Sequence, residues 1–267
     1  MLNNSTLPAE EAFTSWFAID DLDTALAGAD SPVAVYKRCL QQGTSALIEQ
    51  FAGGADIQTL VYARSWLVDQ VLLRAWSSYM AGMQDNLALV AVGGYGRNEL
   101  MPGSDVDLLL LLPDTPDDRI NAHVEALVTF LWDISLEVGH SVRTISDCIE
   151  QSLADITVAT NLMEARLLAG SAELFTQMQD STGPAKIWSS QDFFAAKHQE
   201  QLTRHRKFHN TAYKLEPNIK ESPGGLRDIQ MVAWVANRHF GTASLEELVE
   251  RDFLTREEYR TLVDGRN

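Results

Sequence analysis

The stretch from Leu87 to Leu112, LALVAVGGYGRNELMPGSDVDLLLLL, constrains the fold of this chain more than any other segment. Its first part, Leu87 to Val92, is aliphatic and ends at a Gly-Gly pair, which predicts a buried strand. A second apolar run begins within the Asp105-Val106-Asp107 triplet and predicts another strand. Because side chains alternate faces along a strand, both aspartates should project from one face while Val106 points into the core.

The two aspartates indicate a metal site. Two carboxylates roughly 4 Å apart repel each other by about 4 kcal/mol at an effective dielectric near 20. Magnesium ions that bridge the carboxylates to a triphosphate remove this repulsion. Asp105 and Asp107 are therefore candidate catalytic residues and ligands of two Mg²⁺ ions.

The residues between the two strands fit phosphate binding. Glycine at positions 93 and 94 allows phosphate to approach the backbone N–H groups closely and allows a positive φ. Ser104 adds a hydroxyl. Arg97 is the nearest cation, and its side chain either contacts phosphate oxygens or is simply solvated. An ordinary buried hairpin with turns at Gly93-Gly94 and Pro102-Gly103 is the alternative. The combination of strand, Gly-Gly, a ten-residue linker and Asp-hydrophobic-Asp favours the phosphate site.

Composition excludes several classes of function. A net charge of −16 argues against a general nucleic-acid binder. No apolar run approaches the length of a membrane span and no signal segment leads the chain, which predicts a cytoplasmic protein. Two cysteines, Cys39 and Cys148, are too few for a disulfide framework or a zinc cluster. A kinase or ordinary ATPase is disfavoured because the sequence contains no Gly-x-x-x-x-Gly-Lys-Ser/Thr loop.

The pattern around the two aspartates resembles the polymerase-β-like nucleotidyltransferase superfamily and, within it, the family of bacterial PII uridylyltransferase/uridylyl-removing enzymes. Two further blocks resemble that family, FLWDISLEVGHSVRT (Phe130 to Thr144) and KLEPNIKESPGGLRDIQ (Lys214 to Gln230). The likeness runs from about residue 56 to the C-terminus. It implies an α+β fold whose core is a small mixed sheet with helices, flanked by N-terminal helices and a C-terminal helical domain.

Three regions are expected along the chain: an N-terminal helical region over 1–85, a nucleotidyltransferase core over 86–150 and a helical domain over 151–267. Helical periodicity predicts a long helix between residues 56 and 80 and another over Ile120 to Asp133. Ser135 to Arg143 is predicted as a third strand. From Leu153 onward we expect helices, one ending at Gly170 and the next capped by Ser171.

The third strand bears on the metal site, since many superfamily members carry another carboxylate there. Glu137 is the candidate acid in this segment and is either a weak third metal ligand or a structural residue at the start of the strand. The related adenylyltransferases place an aspartate where this chain has Gly139 or His140. The sequence departs from their pattern at this point.

The block before Gln230 contains a second Gly-Gly turn, Gly224-Gly225, which opens a predicted helix. Such a turn can hold an anion on its backbone amides, or it can be only a loop cap. With the resemblance, Lys220 and Arg227 are expected to contact the phosphates or the base of the nucleotide. Asp228 is expected to orient one of these two cations.

The resemblance implies transfer of UMP from UTP to a tyrosine hydroxyl of the PII nitrogen-signalling protein, with release of pyrophosphate. Whole enzymes of that family also carry an HD phosphohydrolase domain and glutamine-sensing ACT domains. This sequence has no His-Asp doublet, so we expect a fragment that lacks uridylyl removal and glutamine control. Two alternatives stay open: a catalytically silent nucleotide-binding regulatory module, and a small-molecule nucleotidyltransferase, which would not share the second block.

Overall fold

The computed structural model describes residues 9–211, 218–241 and 245–266. The described residues form two compact units. The first unit contains residues 9–148 and 164–180, and the second contains residues 149–163 and the described part of 181–266. The division into three regions at residues 85 and 150 remains a prediction.

A four-stranded mixed sheet lies at the centre of the first unit. Its strands are β1 (Ala88–Ala91), β2 (Val106–Leu111), β3 (Val138–Arg143) and β4 (Arg166–Gly170). The strand order is β3-β2-β1-β4, in which β1 runs antiparallel to β2 and β4 while β2 and β3 are parallel. Strands β1 to β3 confirm the three strands predicted from the sequence.

Strand β4 corrects one prediction. The sequence predicted a helix ending at Gly170, but residues Arg166–Gly170 pair antiparallel with β1. Periodicity cannot separate a strand of this length from the last turn of a helix. Gly170 has a φ of 92°, and a Cβ there would lie 2.1 Å from the Leu87 carbonyl oxygen. Ser171 does cap the following helix, because its hydroxyl accepts a 3.2 Å hydrogen bond from the Leu174 N–H.

Helices make up most of the remaining described chain. They are α1 (Ile19–Ala27), α2 (Pro32–Ala52), α3 (Ile57–Tyr79), α4 (Gly93–Gly96), α5 (Asp118–Asp133), α6 (Ile145–Ala154), α7 (Ile156–Met163), α8 (Ala172–Thr182), α9 (Ser190–Lys207), α10 (Leu226–Phe240), α11 (Leu245–Glu250) and α12 (Arg256–Arg266).

Helix α3 packs in the same core as the sheet. It begins after Asp56, whose carboxylate accepts a 2.9 Å hydrogen bond from the Thr59 N–H. Its apolar residues, including Val71 and Leu72, share one core with the inward-facing side chains of the strands and of α5. The long apolar helices predicted on either side of the first two strands are thus confirmed as α3 and α5.

The second unit is helical in its described part. Phe193 of α9 packs with Met231 and Trp234 of α10 in a small core. The Arg238 guanidinium, which is buried, donates to the Trp188 carbonyl oxygen from Nε at 3.0 Å and from Nη2 at 2.7 Å. The two units together confirm the predicted α+β fold with a small mixed sheet and flanking helices. None of the described helices is long and apolar enough to cross a membrane.

Candidate active site

The two aspartates lie at the start of β2, around a residue that points into the core. Val106 is only 2% exposed. Asp105, directly before the strand, is exposed, and Asp107 is half-buried. Ser104 is half-buried and follows the tight turn at Pro102-Gly103. This part of the chain therefore presents two carboxylates and a hydroxyl within four consecutive residues.

The Asp107 carboxylate occupies space that is open because residue 139 is a glycine. Asp107 pairs with Gly139 in the parallel ladder between β2 and β3. A Cβ at position 139 would lie 2.7 Å from Asp107 Oδ1, which is closer than real contacts allow. An aspartate at position 139 could not fit beside Asp107 in its present position.

Glu137 directly precedes β3, the strand that neighbours β2, and its side chain is exposed. Its carbonyl oxygen accepts a 2.8 Å hydrogen bond from the N–H of Val106. Strand alternation places Glu137 on the same face as Gly139, and hence as Asp107. Over the ranges that the structure describes, however, no three or more His, Cys, Asp or Glu side chains form a metal-binding group. A role for Glu137 as third metal ligand stays a prediction.

The first Gly-Gly turn leads from β1 towards these carboxylates. The residue before the turn is hydrogen-bonded to β2, since the Val92 N–H donates to the Asp107 carbonyl oxygen at 3.1 Å. Gly93 has a φ of 58°, a conformation that favours glycine. Among the described backbone hydrogen bonds, the N–H groups of Gly93, Gly94 and Tyr95 have no carbonyl partner, whereas the Gly96 N–H donates to Val92. The turn can therefore offer amides to an anion.

Tyr95 anchors this turn, and sequence reasoning missed it. Its buried hydroxyl donates a 2.5 Å hydrogen bond to Asp69 of α3. Asp69 also accepts from both terminal nitrogens of Arg166 on β4, at 2.7 and 3.1 Å. Burial, and next the charge of Asp69, raise the pKa of Tyr95 well above its ordinary value. The ring stays a neutral donor that ties the turn to α3 and β4. A charged Asp69 within an apolar helix was the available signal.

Arg97 forms ion pairs with two carboxylates. Its Nε donates to Glu99 at 2.8 Å and its Nη1 to Glu164 at 2.5 Å, and its side chain is 9% exposed. Burial alone would lower the pKa of Arg97, but the charges of Glu164 and Glu99 outweigh it and raise the pKa. This geometry favours a structural role over the phosphate contact and the solvated side chain considered from the sequence.

At the second Gly-Gly turn, Gly224-Gly225 in the second unit, the backbone N–H groups already donate hydrogen bonds within the protein. The N–H groups of Gly225, Leu226 and Arg227 donate to the carbonyls of Ser222, Ile219 and Lys220 at 2.8 to 2.9 Å. The Gly224 N–H donates to the Asp228 carboxylate at 2.7 Å. The turn is therefore a closed cap of α10, and anion binding on these amides is disfavoured.

Asp228 joins α10 to α9. Its carboxylate accepts from Gln201 at 2.9 Å and from His205 at 2.9 Å, and it pairs with Arg204. Burial would raise the pKa of Asp228, but the hydrogen bonds from Gln201, Gly224 and His205 outweigh it and lower the pKa. Asp228 is thus bound to partners other than the Lys220 and Arg227 side chains that it was expected to orient.

Of these two expected nucleotide contacts, Lys220 is exposed and Arg227 is half-buried. The Arg227 guanidinium lies over the Trp234 ring, 5.5 Å from its centroid, and its Nη1 donates to Gln230 at 3.3 Å. Both belong to the second unit, whereas Asp105 and Asp107 belong to the first. Their contact with a nucleotide stays a prediction.

Comparison with known proteins places these features in a family. Residues 41–141 match the nucleotidyltransferase family model DUF294, and residues 192–267 match the model described as GlnD PII-uridylyltransferase. The chain is 47% identical over 232 residues, 87% of its length, to the bifunctional uridylyltransferase/uridylyl-removing enzyme of Stutzerimonas stutzeri. It is 48% identical over 237 residues to that of Pseudomonas putida and 43% identical over 262 residues to that of Nitrosococcus oceani.

The alignments cover 26% of the first two relatives and 28% of the third, so the chain spans about a quarter of their length. The model over residues 192–267 and all three relatives are named for uridylyl transfer, and the model over residues 41–141 is named for nucleotidyl transfer. The carboxylate pair and the glycine turn lie within the aligned nucleotidyltransferase region. The chain therefore belongs to the family of bifunctional uridylyltransferase/uridylyl-removing enzymes.

Proposed function

We propose that this chain transfers UMP from UTP to a tyrosine hydroxyl of a PII-type signalling protein and releases pyrophosphate. The observation that carries the proposal is the placement of Asp105 and Asp107 around buried Val106, next to a glycine turn whose amides remain available. The names of the relatives and of the second family model support uridylyl as the group and PII as the acceptor.

The residues present fit divalent metal ions. Mg²⁺ prefers oxygen ligands, usually one or two carboxylates completed by water and phosphate oxygens. Asp105 and Asp107 supply two carboxylates, and the space beside Gly139 receives one of them. When bound, two Mg²⁺ ions would lower the pKa of the acceptor hydroxyl and neutralise the charge of the leaving pyrophosphate.

At the α-phosphorus, the transfer forms one bond and breaks one. The acceptor oxygen bonds to the α-phosphorus of UTP, the bond from that phosphorus to the oxygen bridging to the β-phosphate breaks, and the hydroxyl proton passes to solvent. The amides of Gly93 and Gly94 and the hydroxyl of Ser104 would bind phosphate oxygens. We also retain Lys220 and Arg227 as proposed nucleotide contacts, and we place the reaction in the cytoplasm, where nucleotides and a nitrogen-signalling protein are available.

A direct assay tests this function. The chain is incubated with Mg²⁺, a PII acceptor and each of four nucleoside triphosphates labelled at the α-phosphorus, and label on the acceptor is measured. We expect transfer from UTP in preference to ATP, GTP and CTP. A chain that binds UTP without transferring label would instead be a silent nucleotide-binding module. Transfer to a small-molecule hydroxyl and not to PII would support the small-molecule enzyme.

A further inference from the structure

Arg64 of helix α3 has a guanidinium group with a buried, unpaired Nε. Its Nε is enclosed by protein and, within the described ranges, has no hydrogen-bond partner. Burial lowers the pKa of Arg64, and the charge of Glu137 partly restores it. Keeping a partly desolvated cation without a close partner destabilises a fold, so such a residue calls for another explanation.

The surroundings of Arg64 connect it to the carboxylate pair. Glu137, whose charge acts on Arg64, accepts the N–H of Val106 through its backbone carbonyl. The next residue on α3, Ser65, accepts a 3.2 Å hydrogen bond from the N–H of Leu100. Leu100 belongs to the loop that joins the glycine turn to Asp105. Arg64 therefore belongs to the same unit as this loop and directly precedes the residue that binds it.

Within the described residues, Arg64 forms no ion pair with a carboxylate, unlike Arg97 and Arg166 of the same unit. Arg97 is held by Glu99 and Glu164, and Arg166 is held by Asp69. These ion pairs stabilise the scaffold and occupy two nitrogens of each guanidinium group, although the Arg166 Nε, like that of Arg64, is buried without a partner within the described residues. The carboxylates of Asp105 and Asp107 repel an incoming polyphosphate unless cations accompany it, and a partly desolvated arginine supplies a fixed positive charge.

We propose that Arg64 is a phosphate-binding residue of this site, which donates hydrogen bonds to oxygens of the β- and γ-phosphates of the nucleoside triphosphate. This inference rests on the proposed function and names a further residue of the same site. The bound pyrophosphate product would keep the same contacts.

Calorimetry with UTP and with inorganic pyrophosphate, each with Mg²⁺, tests the role of Arg64. Arg64→Gln should weaken binding of both by at least about tenfold, the effect of a lost charge-assisted hydrogen bond, and should leave the affinity for UMP unchanged. Arg64→Lys keeps the charge and should recover part of the loss. Arg38→Gln, at an exposed arginine of the same unit, should bind all three ligands like the parent.

The outcomes separate this inference from the proposed function. If the parent transfers uridylyl groups while Arg64→Gln and Arg64→Lys both bind UTP and pyrophosphate like the parent, Arg64 is structural and only this inference fails. The same holds if UMP binding falls as much as UTP binding. If Arg64→Gln does not fold, the pyrophosphate affinity of Arg64→Lys decides. Weaker binding than the parent's supports the phosphate contact, and binding like the parent's makes Arg64 structural. If the parent neither binds nor transfers any nucleotide, the proposed function fails and this inference with it.

Discussion

Gly139 faces Asp107 across the parallel ladder of β2 and β3, and the Asp107 carboxylate lies where a side chain at position 139 would begin. A Cβ there would stand 2.7 Å from Asp107 Oδ1, so either the carboxylate or the strand would have to shift. Because the carboxylate is the end of a flexible side chain, it is the part that moves. Gly139 thus fixes the position of a proposed metal ligand.

Gly139→Ala should therefore lower uridylyl transfer with little effect on stability. Displacing a catalytic group by about 1 Å can reduce a rate by about a hundredfold, and we expect a loss of that order. The melting temperature should fall by no more than a few degrees. Gly28→Ala is the matched control, because a Cβ at Gly28 meets nothing within 4 Å. Full activity of Gly139→Ala would show that Asp107 does not depend on this space.

Removing the Tyr95 hydroxyl should loosen the glycine turn. Tyr95→Phe deletes the 2.5 Å hydrogen bond to Asp69, while Arg166 continues to hold the carboxylate. The free energy of unfolding should fall by about 1.5–3 kcal/mol, the range for a hydrogen bond to a charged group. UTP affinity should fall in parallel, measured by titration. Tyr259→Phe, which removes a hydroxyl bonded to Glu246 in the second unit, should leave UTP affinity unchanged.

Arg97→Ala separates a structural role from a phosphate contact. Its removal leaves Glu164, which is 7% exposed, without its guanidinium partner. Removing one partner of a buried ion pair destabilises a protein by about 3–5 kcal/mol, measured here by urea unfolding. Arg97→Ala combined with Glu164→Gln should recover part of that loss. Normal stability with weakened UTP binding would instead support the phosphate contact.

Asp228 should make the second unit sensitive to acid. Because the pKa of Asp228 is lowered in the folded chain, its contribution is complete above the ordinary value of 3.8 and is lost as the pH falls through the lower folded value. Asp228→Asn should unfold more easily than the parent by about 1–3 kcal/mol at neutral pH. The difference should shrink on acidification below about pH 4. A difference that is constant down to pH 2 would contradict the assignment.

The sequence was sufficient to predict the first three strands and the helices α3 and α5, because each has a long or well-bounded apolar pattern. It did not predict β4. The apolar stretch Arg166–Gly170 is short, and what makes it a strand is its pairing with β1, a contact that no local pattern records.

Site residues could be predicted where their spacing in the sequence is informative. They could not be predicted where a side chain's role depends on the residues that it pairs with in the fold. Asp105, Asp107 and Gly93 follow from alternation and turn chemistry. The partners of Arg97 and Asp228 are set by residues distant in sequence, Glu164 and Arg204. The closed amides at Gly224-Gly225 likewise depend on how the preceding residues fold back, which the composition of the turn does not reveal.

The most direct test of the account is uridylyl transfer by Asp105→Asn and Asp107→Asn, measured with α-labelled UTP, Mg²⁺ and a PII acceptor. Each change removes a proposed metal ligand and leaves the buried Val106 between them in place, so the melting temperature should not fall. We predict a loss of at least about a hundredfold in each variant, the scale of a lost transition-state stabiliser. Near-parental transfer by either folded variant would contradict the central role of the carboxylate pair.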